Sequence, residues 1–211
     1  MTYDEWRRWW TEKAPEYFTD KSWNFSQPDL IDRLAILPHH CVLEVGFGYG
    51  RELSQFCKKS VNVYGLELTD WACDNVMKEL EARKVVPLPR LKSYDGLAMP
   101  FPSGAFNVVY SCFVIQHLSR EHALTLMGEA LRVLCHDGHV LFEFFGDPAY
   151  WDGGRDVFSG IPGEGGMYNN AYTRDEIAIM VGDVGGKIYW VENRKVTKDW
   201  GNHWVCFGRK E

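Results

Sequence analysis

Short apolar runs alternate with helical patterns along this chain, and the alternation restricts the possible folds more than any other feature. The runs that begin at Cys41, Val61, Phe106 and His139 have the length of strands, and amphipathic segments lie between them. Repeated strand–helix units favour a parallel sheet whose two faces are covered by helices. We therefore predict an α/β fold formed by a single domain over residues 1–211.

The helical segments carry local signals for their ends. Pro28 can open a helix with one apolar face, and Ser119 is predicted to cap a later helix. A turn is predicted at Asp137-Gly138 after that later helix, and Thr173 to Glu176 has the capping-box pattern. The apolar face of the helix after Pro28 consists of Leu30, Ile31, Leu34 and Leu37.

A glycine-rich turn follows the first predicted strand, in the sequence Val42-Leu-Glu-Val-Gly-Phe-Gly-Tyr-Gly-Arg51. Such glycines let the backbone approach a ligand closely and let the next helix pack tightly. A dinucleotide site would have the pattern G-x-G-x-x-G, but Arg51 occupies the sixth position and Glu44 precedes the first glycine by two residues. Because a carboxylate repels pyrophosphate and attracts a cation, the segment favours S-adenosylmethionine over NAD.

Two further acids lie at predicted strand ends. Glu67 ends the second strand, where a carboxylate can accept hydrogen bonds from both ribose hydroxyls of a cofactor. Asp95, in Tyr94-Asp-Gly96, is placed to accept a hydrogen bond from an adenine amino group. With Glu44, these acids predict a nucleoside-binding edge along the sheet.

Together these segments resemble the class I S-adenosylmethionine-dependent methyltransferases, and most of all their small-molecule branch, often called type 11. The resemblance covers roughly residues 30–145, including Glu44-x-Gly-x-Gly-x-Gly50 and the acid Glu67. It continues through Met99-Pro-Phe-Pro-Ser-Gly-Ala-Phe106 and Ser111-Cys-Phe-Val-Ile-Gln-His-Leu118. One departure is Asn107, where the family usually has an aspartate.

The resemblance implies a Rossmann-like α/β fold with a seven-stranded, mostly parallel sheet in the order 3-2-1-4-5-7-6 and helices on both faces. The late apolar runs at 187–191 and 204–207 would form its final antiparallel hairpin. It also implies S-adenosylmethionine as the cofactor and S-adenosylhomocysteine as the product. The predicted cofactor-binding residues are Glu44, Gly46, Phe47, Gly48, Gly50, Arg51, Glu67, Leu68, Asp95, Gly96, Ser111 and Phe113.

Three segments are predicted to contact the methyl acceptor: the one after the fourth strand and two that lie outside the strand–helix alternation. In the family, the segment after the fourth strand faces the methyl group, so His117 is the candidate catalytic base. Residues 1–27 are predicted to form an aromatic lid, and residues 146–172, with seven glycines, a substrate-side insertion. The predicted substrate-binding residues are Trp10, Tyr150, Trp151, Tyr168, Asn169 and Tyr172.

Composition and residue spacing argue against nucleic acid, metal ions and membranes as binding partners. A net charge of −6 argues against a general nucleic-acid binder, because a phosphate backbone rewards a basic surface. His39-His40 and His136-x-x-His139 lack acidic or cysteine partners at supporting spacing, so no metal is expected. The N-terminus is charged where a signal peptide would be apolar, and no segment resembles a membrane span. We therefore expect a cytoplasmic protein, monomeric or homodimeric, without membrane association.

The tryptophans indicate what surrounds the acceptor. Of the nine in the chain, only Trp71 lies between residues 30 and 145. Tyr3, Trp6 and Trp10 have helical spacing and predict a broad aromatic face near the N-terminus. This placement favours an enclosed, aromatic-walled pocket for a small molecule over an open groove for a polyanion.

Three functions remain open at this point. The first is methyl transfer to an oxygen or nitrogen atom of a small molecule. The second is transfer to a protein or RNA, which predicts an open, charged face instead of a closed pocket. The third is a non-catalytic partner subunit that binds S-adenosylmethionine without an acceptor pocket.

Overall fold

The computed structural model describes residues 3–17, 28–146, 170–195 and 201–209, which form helices packed on a central sheet. In chain order the elements are α1 (Tyr3–Tyr17), α2 (Pro28–Asp32), β1 (Cys41–Val45), α3 (Arg51–Cys57), β2 (Asn62–Glu67), α4 (Asp70–Ala82), β3 (Arg90–Ser93), β4 (Phe106–Ser111), a 3₁₀ turn (Ile115–His117), α5 (Arg120–Val133), β5 (Leu134–Gly146), β6 (Ala171–Tyr172), α6 (Arg174–Asp183), β7 (Gly186–Lys195) and β8 (Gly201–Arg209).

The sheet has the predicted arrangement with one addition. Its order is β3-β2-β1-β4-β5-β8-β7, with β1 to β5 parallel and β8 antiparallel to both β5 and β7. The predicted order is therefore confirmed for seven strands. The addition is β6, a two-residue strand that pairs with the end of β5 at Phe145 and Gly146.

Apolar residues on the two faces of the sheet form two buried clusters. On one face, Leu43, Val109 and Phe142 pack with side chains of α5 and α6. On the other, Val42 and Val108 pack with side chains of α2, α3 and α4. Helices on both faces explain why β1 and β4 direct buried apolar residues to both sides of the sheet, as the alternation predicted.

The predicted helix ends are present in the structure. The Ser119 side chain accepts a hydrogen bond from the His122 backbone N–H and caps α5. Thr173 and Glu176 form a reciprocal capping box at the start of α6. These caps satisfy backbone donors that have no partner within the helix, and so they fix where the helices begin.

Three local predictions need correction. The helix after Pro28 ends at Asp32, and Leu37 is 47% exposed because it precedes Pro38, which disfavours helical backbone there. The predicted turn at Asp137-Gly138 lies inside β5, which begins at Leu134, and it coincides with the irregularity where the register with β4 jumps from Leu134 to His139. The edge strand β3 was not predicted from its own residues, since two of its four residues are exposed and it contains no apolar run.

The predicted lid and insertion fall only partly within the described residues. Helix α1 covers 3–17 of the lid segment 1–27, whereas 18–27 lie outside the description. Of the insertion 146–172, the described residues are 146 and 170–172. Both segment boundaries stay predictions. Among the helices that are described, none is long and apolar enough to cross a bilayer.

Candidate functional site

A cavity of about 370 Å³ opens at the carboxyl ends of β1, β2 and β4. This is the edge of a parallel sheet at which α/β proteins bind their ligands. Most of the predicted cofactor residues and two predicted acceptor-side residues line it. These are Trp10, Glu44, Gly46, Phe47, Gly48, Arg51, Glu67, Leu68, Gly96, Phe113 and His117.

The glycine loop between β1 and α3 forms one wall of the cavity. Gly46 has a φ of 72°, and a Cβ added there would lie 2.3 Å from Cγ2 of Val114 across the cavity wall. Gly50 caps α3 with a φ of 75°, and an added Cβ would lie 2.5 Å from Cγ1 of Val76 on α4. Gly46 thus permits close approach at the cavity, and Gly50 permits tight helix packing, as predicted.

Glu67 is held at the end of β2 by the backbone around it. One carboxylate oxygen accepts a hydrogen bond from the Leu68 N–H at 2.8 Å, and the other accepts one from the Gly48 N–H at 3.4 Å. Loss of hydration raises the pKa of this carboxyl. The carboxylate therefore bridges β2 and the glycine loop and has remaining acceptor capacity at the cavity.

Two more acids lie in the cavity floor. Glu44 and Glu52 are 1% and 2% exposed, and burial raises the pKa of both carboxyls. One oxygen of each, Oε2 of Glu44 and Oε1 of Glu52, has no hydrogen-bond partner within the described parts of the chain. Arg51 Nε lies 3.7 Å from the other Glu52 oxygen. Because unpartnered buried carboxylates are costly, this floor fits a ligand that carries positive charge.

Helix α1 lies across the cavity mouth. The Trp10 ring meets His117 edge-on, with 5.3 Å between ring centroids, and both residues line the cavity. The Tyr3 hydroxyl donates a hydrogen bond to the Asp95 carbonyl at 2.6 Å, and its ring stacks on His122 at 4.2 Å. The helix thus contacts the segment after β3 through its first residue and the segment after β4 near its middle.

Several predicted site residues are not among the lining residues. The Asp95 carboxylate accepts hydrogen bonds from the backbone of Leu97 and Ala98. Ser111 donates its hydroxyl hydrogen bond to the Val45 carbonyl at 2.9 Å. Gly50 packs on α4, as described above.

Tyr172, predicted to contact the acceptor, is 5% exposed and packs edge-on against Phe144 in the core. Tyr172 directly precedes the N-cap of α6, where a residue commonly packs under the first helical turn. The remaining predicted substrate residues lie outside the described parts of the chain; they are Tyr150, Trp151, Tyr168 and Asn169.

Sequence reasoning missed nine lining residues. They are Val45, Tyr49, Glu52, Thr69, Tyr94, Cys112, Val114, Leu118 and Leu126. Most of them directly neighbour predicted residues, so adjacency to the motifs was a usable signal. Leu126, on α5, had none, because it reads as an ordinary position on the apolar face of a helix.

Asn107, where the resemblance led us to expect an aspartate, has a structural role at the start of β4. The Asn107 side-chain oxygen accepts a hydrogen bond from the Cys41 N–H at 2.9 Å, which ties β4 to the start of β1. The residue therefore has a structural contact far along the strand from the cavity. In the described ranges, no three His, Cys, Asp or Glu side chains converge as a metal site.

Comparison with known proteins gives one matching family and many solved structures of the same fold. A methyltransferase-domain family model matches residues 43–142. A search of curated proteins finds no significant match. A SAM-dependent methyltransferase from Aquifex aeolicus is 16% identical, with a TM-score of 0.66 over 92% of this chain and 97% of that one.

Two further solved structures share the fold but differ in the activity that they are named for. A geranyl diphosphate C-methyltransferase from Streptomyces coelicolor, in complex with Mg²⁺, geranyl diphosphate and S-adenosylhomocysteine, is 14% identical, with a TM-score of 0.69 over 86% of this chain and 76% of that one. The [4+2]-cyclase SpnF is also 14% identical, with a TM-score of 0.68 over 86% of this chain and 80% of that one.

The glycine loop, β2 and β4 that surround the cavity all fall within the matched residues 43–142. The two carboxyl oxygens of the floor that lack a hydrogen-bond partner in the described residues, one on Glu44 and one on Glu52, suit a cofactor that carries a sulfonium and an ammonium group. Residues 43–142 therefore match a methyltransferase domain, and the sheet around them has the fold of the S-adenosylmethionine-dependent methyltransferases, whose cofactor is S-adenosylmethionine.

Proposed function

We propose that this methyltransferase transfers a methyl group to an oxygen or nitrogen atom of a small molecule held in an aromatic-walled pocket. The observation that carries the proposal is the contact of Trp10 with His117 above the cavity. This contact supports the proposal because it brings an aromatic ring and an imidazole together at one side of the cavity. Such a covered site suits a small acceptor better than an extended macromolecule.

The cofactor is assigned to the glycine-loop side of the cavity. Glu67 would accept hydrogen bonds from ribose hydroxyls, because its carboxylate is already oriented by Leu68 and Gly48. Glu44 would offset the positive charge of the methionine end with its unpartnered oxygen. When bound, the cofactor supplies a methyl group that is already activated on a sulfonium.

The chain's own contribution is then to position the acceptor and to exclude water. Trp10 and Leu118 would present aromatic and apolar surface on the acceptor side. His117 Nδ1 or Nε2 would take the proton from an acceptor hydroxyl or ammonium as the new bond forms. Its ring is oriented by the edge-on contact with Trp10.

The lid role of residues 1–27 belongs to the same proposal. Helix α1 contacts both the Asp95–Gly96 turn and His117, so its displacement would open the cavity at two places. The insertion 146–172 would supply the remaining acceptor wall. We further propose that the protein acts as a monomer or homodimer without nucleic acid.

The test is a screen for S-adenosylhomocysteine release. Purified protein is incubated with S-adenosylmethionine and pooled small-molecule alcohols, phenols and amines, and in parallel with peptides and RNA. We expect turnover with a small molecule, and mass spectrometry then identifies the methylated atom. Turnover only with peptides or RNA would contradict the small-molecule assignment, and methylation at carbon would contradict the heteroatom assignment.

A further inference from the structure

Glu143 on β5 is a buried acid that lies behind the cavity wall. It is 0% exposed, although it is not one of the lining residues. Its neighbour Phe142 pairs with Ser111, the last residue of β4. Glu143 therefore lies at the level where β4 leaves the sheet and the chain turns into the cavity wall.

The Glu143 carboxylate replaces the missing strand pairing at this point. Its Oε2 accepts a hydrogen bond from the Phe113 backbone N–H at 2.8 Å and another from the Cys112 thiol at 3.3 Å. Burial keeps the pKa of that thiol well above its ordinary value, so the thiol remains a donor. The second carboxylate oxygen of Glu143 has no hydrogen-bond partner in the described part of the structure.

Phe113 has a backbone conformation that needs outside support. Its φ is +57°, in the left-handed region, which is costly for a residue with a bulky side chain. The Phe113 ring lines the cavity, and the next residue, Val114, faces Gly46 of the glycine loop. A change at Phe113 would therefore alter the wall opposite the glycine loop.

We infer that Glu143 is a positioning residue that holds Cys112 and Phe113 in the conformation that completes the cofactor cavity. It acts through the Phe113 N–H and does not touch the ligand. The inference rests on the proposed assignment of S-adenosylmethionine to this cavity. The other titratable and charged groups near Glu143 are Tyr110, Arg51 and Glu52, and burial raises the Glu143 pKa to about 7.

Three substitutions at Glu143 distinguish the effect of the position of the hydrogen-bond acceptor from the effect of its charge. Glu143→Gln retains an acceptor oxygen at the same reach without the charge. Glu143→Asp retains the charge but withdraws the acceptor by one methylene, roughly 1.5 Å. Glu143→Leu removes the acceptor and leaves the buried Phe113 N–H unsatisfied.

The measurement is calorimetric titration of each variant with S-adenosylhomocysteine, alongside thermal unfolding to confirm that the variant is folded. We expect the Kd of Glu143→Gln to remain within about threefold of the unsubstituted protein, whereas Glu143→Asp and Glu143→Leu weaken binding at least tenfold. If Glu143→Leu does not fold, the difference in Kd between the Gln and Asp variants still tests the inference. Equal affinity of all folded variants, or a Gln variant as weak as the Asp variant, would overturn the inference.

Glu176→Leu is the matched control. Glu176 also accepts a backbone N–H at 2.8 Å, that of Thr173, but it is not among the cavity-lining residues. Its loss should lower the Tm without changing the Kd. Failure of the unsubstituted protein to bind S-adenosylhomocysteine would instead count against the cofactor assignment, so the two failures are distinguishable.

Discussion

Gly46 offers a sharp test of the cavity geometry, because one added methyl group would meet the opposite wall. In Gly46→Ala, the new Cβ would lie 2.3 Å from Val114 Cγ2, far inside van der Waals contact. The Val114 side chain or the loop must therefore move. Both line the cavity, so the movement would reach the ligand.

The loss of stability has two parts that a second variant separates. An alanine in the left-handed region costs about 1–2 kcal/mol relative to glycine, and the φ of Gly46 is 72°. Gly104 has a nearly identical φ of 74°, with no described atom within 4 Å of an added Cβ. Gly104→Ala therefore measures the backbone cost alone, and Gly46→Ala should lose about 1–3 kcal/mol more from overpacking.

Urea unfolding gives the two free energies, and titration with S-adenosylhomocysteine gives the two affinities. We expect Gly104→Ala to bind like the unsubstituted protein and Gly46→Ala to bind at least tenfold more weakly. For a chain of this length, the extra destabilisation corresponds to roughly 2–4 °C in Tm per kcal/mol. Equal stability and equal affinity of the two variants would refute the close approach of Gly46 to Val114.

Three further outcomes follow from the same site. Glu67→Ala should weaken S-adenosylmethionine binding by more than ~1 kcal/mol in calorimetry, and an unchanged Kd would remove Glu67 from the site. Because folding raises the Glu143 pKa from 4.5 to about 7, its contribution to stability is complete below pH 4.5 and is lost as the pH rises through 7. Urea unfolding at pH 5 and pH 8 should show this loss, at most about 3 kcal/mol, and Glu143→Gln should lessen it. An identical pH dependence of stability in the unsubstituted protein and the variant would contradict the raised pKa of Glu143. Trp10→Ala should raise the KM for the acceptor that the screen identifies, while His117→Ala should mainly lower kcat; unaltered kinetics in both variants would contradict the roof and base assignments.

The sequence predicted those parts of the fold that depend on apolar periodicity and on glycine. Strand β1 was predicted with its exact ends, and the order of seven strands followed from the resemblance. Strand β3 was not predicted individually, since Arg90 and Lys92 alternate with partly buried residues at the sheet edge. Strand β5 continues past Asp137-Gly138, but its register with β4 shifts between Leu134 and His139, so these two residues lie at an irregularity in the pairing.

The cavity residues divide in the same way, into those that local sequence motifs predicted and those that depend on contacts between distant parts of the chain. Glu44, Gly46 and Glu67 were found because they lie in a recognisable order along the chain. Glu52 and Glu143 were not. Glu52 directly follows the predicted Arg51 and Glu143 lies in the apolar strand β5, but neither position shows from sequence alone that its carboxylate will be buried. Their burial depends on contacts between α3, β4 and β5, which are distant in sequence.

The most direct test of the central claim is calorimetric titration of the purified protein with S-adenosylmethionine and, separately, with NADH. The acidic floor formed by Glu44 and Glu52, together with Glu67, predicts S-adenosylmethionine binding with a Kd on the order of micromolar, because a cationic ligand stabilises the ionised carboxylates. It predicts much weaker binding of NADH, whose pyrophosphate is negatively charged. Tighter binding of NADH, or no binding of either ligand, would contradict it.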